Sequence, residues 1–300
     1  MSRACSVSAG RIYGKARVCR LWNVARSTHY ARQAAVEGGV RPRRRGRKPV
    51  LPDEELVASI REVLTEAEAL GFRGEGYRKV WARLRFRGIP VSKERVRRLM
   101  REHGLQAPHR AGSDRGPRTH DGTLIPKAPN RMWGTDATQV WTRQDGMATV
   151  FVAVDHFVGD VVGIHAARPG TRFEALEPIH QGIRAHFGPL AQGIGAGLVL
   201  RHDHGPQYMS HHFQAEIGFL GVESSPSFIR APEGNGVAER FIRTLKEQLL
   251  WVQTFDTVEE LRHALLDFKA RFNRHWLLQR HGYATPAQVR AAHATVPDAA

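Results

Sequence analysis

Ala148-Thr-Val-Phe-Val-Ala-Val-Asp155 is an apolar run rich in β-branched residues and reads as a strand. Two further β-rich segments flank it, Val140–Trp141 and Val158–His165, set apart by polar turns such as Arg143-Gln-Asp-Gly146. Downstream the pattern alternates. Thr171–Phe187 reads as a helix, Leu198–Arg201 as a short apolar strand, His211–Leu220 as a helix and Gly221–Ser224 as another short strand, before the strong helices Asn235–Val252 and Val258–Trp276. Three strands followed by alternating helices and strands predict an α/β domain built on a mixed sheet.

The chain ahead of these strands has a different character. Residues 1–120 hold 28 Lys+Arg and 11 Asp+Glu, a net +17, whereas residues 121–300 hold 17 and 18, a net −1. A strongly basic arm joined to a near-neutral body suggests a polyanion-binding half and a half with another task. Residues 15–32 have the outline of a small helix-turn-helix, with Val18, Leu21 and Trp22 at helical spacing and Ser27 as N-cap of the second helix. Arg41-Pro-Arg-Arg-Arg-Gly-Arg-Lys48 puts six basic residues in eight positions of a Gly- and Pro-punctuated linker, so Arg43, Arg44 and Arg45 are candidate phosphate contacts. Residues 53–70 are amphipathic, with Asp53, Glu54 and Glu55 in the first turn. Tyr77, Val80, Trp81 and Leu84 then form an apolar stripe, Gly88-Ile-Pro-Val91 a turn, and Ser92 the cap of a helix that turns Val96, Leu99 and Met100 inward. Its outward side carries Lys93, Arg95, Arg97, Arg98 and Arg101, the pattern of a DNA-recognition helix.

The expected organisation is a short helix-turn-helix-like segment at 1–37, a basic linker at 38–52, a helix-turn-helix DNA-binding domain at 53–108, a second linker at 109–129, a catalytic core at 130–290 and a tail at 291–300. No apolar run approaches the ~20 residues that span a bilayer, and the N-terminus lacks a secretory pattern, so a soluble intracellular protein without a membrane partner is expected. Cys5 and Cys19 are too few for a disulfide framework and form no zinc motif. Gln192-Gly-Ile-Gly-Ala-Gly197 lacks a GK[ST] ending and precedes a strand, so ATP use is not indicated.

Asp136 stands in Trp133-Gly-Thr-Asp-Ala-Thr138 on the first strand, where an Asp is unfavourable unless something uses it. Asp203 stands in Leu198-Val-Leu-Arg-His-Asp-His-Gly-Pro206, where an apolar strand ends, the usual ligand-binding end in open α/β sheets. Glu239 lies early in the helix from Asn235, opposite a stripe of Val237, Phe241, Leu245 and Leu249, with Arg243 on the same polar side and Lys246 two turns on and nearly aligned. Each carboxylate by itself admits a plain structural reading: a turn cap, an Asx turn, a solvated helix residue. Together, carboxylates on a strand, a strand end and a helix can converge on hard divalent cations, which suits two-metal phosphoryl transfer.

Thirty-five residues separate Asp203 from Glu239, and Lys246 follows seven after it. With the flanks Trp-Gly-Thr-Asp, Asp-His-Gly and Asn235-Gly-Val-Ala-Glu-Arg-Phe-Ile-Arg-Thr-Leu-Lys246, the chain resembles the DDE transposases of two-frame bacterial insertion sequences, OrfB type, whose core is similar to that of retroviral integrases. The resemblance implies a ribonuclease-H-like core, strand cleavage and strand transfer, and two Mg²⁺ or Mn²⁺ ions held by Asp136, Asp203 and Glu239. It further implies a DNA contact at Lys246, a DNA or substrate-loop contact at Asn235, element ends and target DNA as partners, a homo-multimeric synapse, and a bacterial cytoplasmic, nucleoid-associated setting. An upstream-frame (OrfA) partner or fusion is also implied. His202 and His204 flank the second Asp as metal-shell partners or as solvated loop residues. A non-catalytic DNA-binding regulator or inactive remnant accounts for residues 1–110 but leaves the triad unexplained, and a nuclease on the same core leaves the two basic segments unexplained.

Overall fold

A computed structural model describes residues 4–38, 50–108, 126–227 and 235–294. The chain divides into two units, Met1–Val50 and Leu51–Ala300. In the first, helix α1 (Gly14–Leu21) and helix α2 (Arg26–Glu37) form a hairpin. Cys19 is its buried apolar residue among those described, while Leu21 and Trp22, at 74% and 66% exposed, face solvent despite their helical spacing. Ser27 is not the cap expected of it, because α2 already begins at Arg26.

The second unit opens with α3 (Asp53–Ala69), α4 (Tyr77–Phe86) and α5 (Lys93–Glu102). Leu56, Ile60, Val80, Leu84, Val96, Leu99 and Met100 interlock as their core, at the positions the periodicity selects. Ser92 Oγ accepts from the Arg95 amide and starts α5, and Gly104, at φ 65°, supplies the left-handed step just beyond its end.

The sheet comprises β1 (Met132–Thr142), β2 (Gly146–Asp155), β3 (Val161–Ala167), β4 (Val199–His202) and β5 (Glu223–Pro226), ordered β3-β2-β1-β4-β5. The first three strands are antiparallel, and β4 and β5 lie parallel to β1. Alternation along the strands directs Trp133, Phe151 and Ala153 to one face, under α6 (Arg172–His186) and α8 (His211–Phe219), which α7 (Pro206–Met209) precedes. Val150, Val152 and Val154 point to the other face, under α9 (Gly236–Leu245) and α10 (Val258–His275), and α11 (Pro286–Ala294) closes the described chain. The result is a mixed sheet with helices on both faces, a ribonuclease-H-like core behind a helical domain. No helix among the described residues is long and apolar enough to cross a membrane.

The long helix expected over Asn235–Val252 is interrupted. After Leu245 it widens into a π-helical turn over Lys246–Leu250, closed by the Trp251 amide on the Lys246 carbonyl at 2.9 Å. The wider turn lets the consecutive Leu249 and Leu250 both reach the core. Ala238 is buried on α9, whereas Val237 is only half-buried. The helical domain packs on this layer: Phe72 is fully buried with its ring edge-on to Trp276 at 5.2 Å and to Phe268 at 6.3 Å. Arg73 and Gln248 exchange two hydrogen bonds, of 2.8 and 3.0 Å.

Candidate active site

β1 sets the direction of Asp136. Trp133 and Ala137 pack toward α6, whereas Val140 packs toward α9 and α10, so Asp136 projects on the α9 side. Strand pairing sets its neighbour. Met132, Trp133 and Gly134 pair in parallel with Val199, Leu200 and Arg201. The pairing ends at Gly134–Arg201, two residues short of Asp136 and of Asp203 on their respective segments. Asp203 follows the last residue of β4 and is exposed, with Oδ1 accepting from the Gly205 amide at 2.8 Å.

Glu239 arrives with α9, and Asn235 determines where α9 begins. Asn235 stands at the N-cap but caps nothing. Its Nδ2 donates instead to the carbonyl of Thr135, the residue before Asp136, at 2.8 Å. It is 4% exposed, so the DNA contact expected of it is corrected to a clamp between helix and strand. Gly134 makes the clamp possible: a Cβ there would lie 2.5 Å from Asn235 Oδ1 and 2.6 Å from His156 Nε2. Burial lowers the His156 pKa to about 4, leaving the ring neutral at pH 7. Nothing in the sequence reading singled out His156 or Gly134. The one available signal was a glycine inside a strand, two residues before Asp136, which marks a close approach.

The carboxylates act on one another. Asp136 is pushed up to about 6, first by burial and then by the charges of Asp203 and Glu239, against the Ala137 amide and the Lys246 ammonium, which pull it down. Tyr208, fully buried, lies near both aspartates, and burial raises its pKa so that the phenol stays protonated. The three carboxylates face one another without closing on a point: among the described residues no three of His, Cys, Asp and Glu are grouped tightly enough to hold a metal ion. Hard oxygens whose repulsion a cation would relieve nevertheless fit a divalent metal in kind. A shallow cleft lined by Thr138, Gln139, Thr149, Gly170 and Gln207 opens within a few residues of Asp136 and Asp203.

The remaining candidates separate. Lys246 is half-buried within electrostatic reach of Asp136. Arg243 is exposed and donates to Glu247 one turn on, at 3.1 Å. His202 is fully buried, Nδ1 on the Asp203 carbonyl at 2.6 Å and Nε2 on Ser224 Oγ at 2.9 Å, and burial lowers its pKa. It therefore ties β4 to β5, whereas His204 is exposed. In the helical domain, Arg95 binds Asp53 Oδ1 and the Leu51 carbonyl, and Arg98 binds Asp53 Oδ2 at 2.7 Å and Glu102 at 2.7 Å. Both thus join α5 to the start of α3 within the helical domain. Arg97 is exposed, with Glu94 at 3.2 Å. Arg43, Arg44 and Arg45 lie outside the described residues.

Residues 52–112 match the HTH-like domain family, and residues 220–286 match the integrase core domain family. A Mycobacterium tuberculosis protein bearing the name of a transposase for insertion sequence element IS986/IS6110 is 27% identical over 78% of this chain and 87% of its own length. The Escherichia coli transposase InsD of element IS2 is 25% identical over 66% of this chain and 65% of its own length. Among solved structures, the BIV integrase catalytic core is similar at 23% identity and TM-score 0.41 over 54% of this chain and 95% of that one. The HTLV-2 integrase core in complex with magnesium is similar at 21% and 0.40 over 55% and 98%. An HTH-like domain thus lies ahead of an integrase core domain in this chain. The relatives it is similar to across most of its length are transposases of insertion sequences.

Proposed function

We propose that this protein is a transposase, a DDE-type polynucleotidyl transferase that cleaves and joins the strands of an insertion sequence, with Asp136, Asp203 and Glu239 as the ligands of two Mg²⁺ or Mn²⁺ ions. The observation that supports the reading is the electrostatic coupling of the three acids: the Asp136 carboxyl responds to both Asp203 and Glu239. The parallel pairing of β1 with β4 and the Asn235–Thr135 hydrogen bond tie together the three elements that carry them. Two such ions supply an activated attacking oxygen and a stabilised leaving oxygen when bound. The chain's own part is to hold the acceptor oxygens, to keep Asp136 half-buried, and to set the Lys246 ammonium near it, where a scissile phosphate's charge needs a cation.

The remaining expectations belong to the same reading. The working domains are residues 53–108 for DNA binding and 130–290 for catalysis, with linkers at 38–52 and 109–129. Element ends and target DNA are the substrates, bound also by Lys246, Arg243, Arg97 and the Arg43–Arg45 run. A homo-multimeric synapse, an upstream-frame partner or fusion, and a cytoplasmic, nucleoid-associated setting follow from the transposase reading. The test is cleavage and joining of labelled duplexes carrying the element's ends, in Mn²⁺ or Mg²⁺, with Glu239→Gln as the variant. Activity is expected to fall by on the order of a thousandfold or more while DNA binding persists, the signature of a lost transition-state interaction. A Glu239→Gln chain that still cuts and joins normally sinks the assignment.

A further inference from the structure

Eight of the cations on α4, α5 and the turn after α4 fall into two groups. Arg83, Arg87, Arg95 and Arg98 are matched by the carboxylates of Glu75, Glu66, Asp53 and Glu102. Arg78, Arg85, Lys93 and Arg97 are gathered instead around two aromatic rings. Tyr77 and Trp81 stand one turn apart on α4, so their rings share a face. The Lys93 ammonium lies 4.3 Å from the Trp81 ring centre and the Arg85 guanidinium 5.2 Å. Arg78 and Arg97 lie 5.7 and 5.9 Å from that of Tyr77. All four cations are exposed and both rings are half-buried. Among the described residues Arg97 alone of the four has an acidic partner, Glu94, itself solvent-exposed.

We infer that this strip, and not the Arg95–Arg98 edge, is where the helical domain grips the phosphate backbone of duplex DNA. The inference rests on the DNA-processing reading above. Four like charges, only one of them with a carboxylate partner and that one exposed, repel one another, and a polyanion is the ligand that turns this repulsion into attraction. The rings hold the cationic heads by cation–π attraction while leaving their charge uncompensated, so the array is pre-formed. With the cations over them, the rings offer no free stacking platform for unpaired bases, which favours a duplex backbone over a single strand. The strip is also registered to the catalytic core. Arg78 donates to Gln279 at 3.3 Å, and Trp81 meets the Tyr283 ring at 5.8 Å. DNA held on the strip is therefore held at a set position relative to the carboxylates.

The test uses the full chain and a fluorescent duplex of arbitrary sequence, titrated over a range of KCl concentrations. The variant carrying Arg85→Gln, Lys93→Gln and Arg97→Gln is expected to bind at least about tenfold more weakly near physiological salt. Its slope of log affinity against log salt should be shallower by about 2 to 3, since each phosphate contact contributes about 0.9. Arg98→Gln is the control, expected to lower the melting temperature and to leave the slope unchanged. Should the triple variant melt early, Lys93→Gln by itself is expected to reduce the slope by about 0.9. Wild-type affinity and slope in the strip variants, or a slope lost through Arg98→Gln instead, overturns the inference and leaves the DNA reading intact. Wild-type chain that binds no duplex, or binds it independently of salt, overturns both.

Discussion

Two places in this molecule gather carboxylates, and they do so to opposite ends. At the start of α3, Asp53 sits between Arg95 and Arg98, whose hydrogen bonds, Arg98's first, hold its pKa below the ordinary value. At the junction of β1, β4 and α9, Asp136 faces Asp203 and Glu239, and its pKa is raised to about 6. The first acid is satisfied by the fold and locks α5 to α3. The second is left in conflict by the fold, with the Ala137 amide and the Lys246 ammonium pulling the other way, and that conflict is one that bound cations would relieve. Role follows from what a side chain faces, which residue type does not reveal.

The comparison breaks most dramatically at the clamp that builds the second site. Gly134→Ala would push a methyl carbon into Asn235 Oδ1 and His156 Nε2. We expect a loss of about 1–3 kcal/mol from overpacking. Strand cleavage should fall by about a hundredfold, because the start of α9 and Glu239 with it must shift. Cleavage rates and a denaturant melt read both, and normal activity in this variant would remove the clamp from the account.

A smaller effect, of unusual sign, sharpens the contrast. The folded chain keeps a proton on Asp136 up to about pH 6, while the unfolded chain releases it near 3.8. The folded state therefore binds more protons between those values, and stability falls as pH rises through that window and stays lower above it. Asp136→Asn should melt higher than wild type at pH 7.5, by about 2–5 °C. The gap should close below about pH 4 and should narrow when millimolar Mn²⁺ stabilises the wild type alone. An Asn variant that melts at or below wild type at pH 7.5 refutes the strain assigned to this carboxyl.

The smallest effect is expected at the satisfied acid. Asp53→Asn should cost about 1 kcal/mol at neutral pH, since the pairs are partly exposed. Here the folded pKa is depressed below 3.8, so the contribution is full above the unfolded value and disappears as pH falls through the lowered one. Melts of both chains should differ at pH 7 and converge at pH 2; a gap that persists in acid assigns the effect to packing instead of charge.

Much of this was legible in the chain itself. The β-rich runs, the amphipathic stripes of α3 to α5 and the Ser92 cap are local patterns, because a strand or helix that must bury one face repeats its apolar residues at its own period. The three acids were legible for another reason: their residue types and flanks are carried by the sequence whatever the packing. Side-chain destinations across the fold were not. Arg95 and Arg97 stand on one helix two residues apart, and only the approach of α3 makes the first structural and leaves the second exposed. Asn235 looked like a surface polar residue until β1 came within hydrogen-bonding distance of its amide. The sequence by itself determined which elements form and which acids are available. The tertiary structure decided which charges are neutralised, since hydrogen bonding, burial and Coulomb energy depend on distances between segments far apart in the chain, which no local pattern encodes.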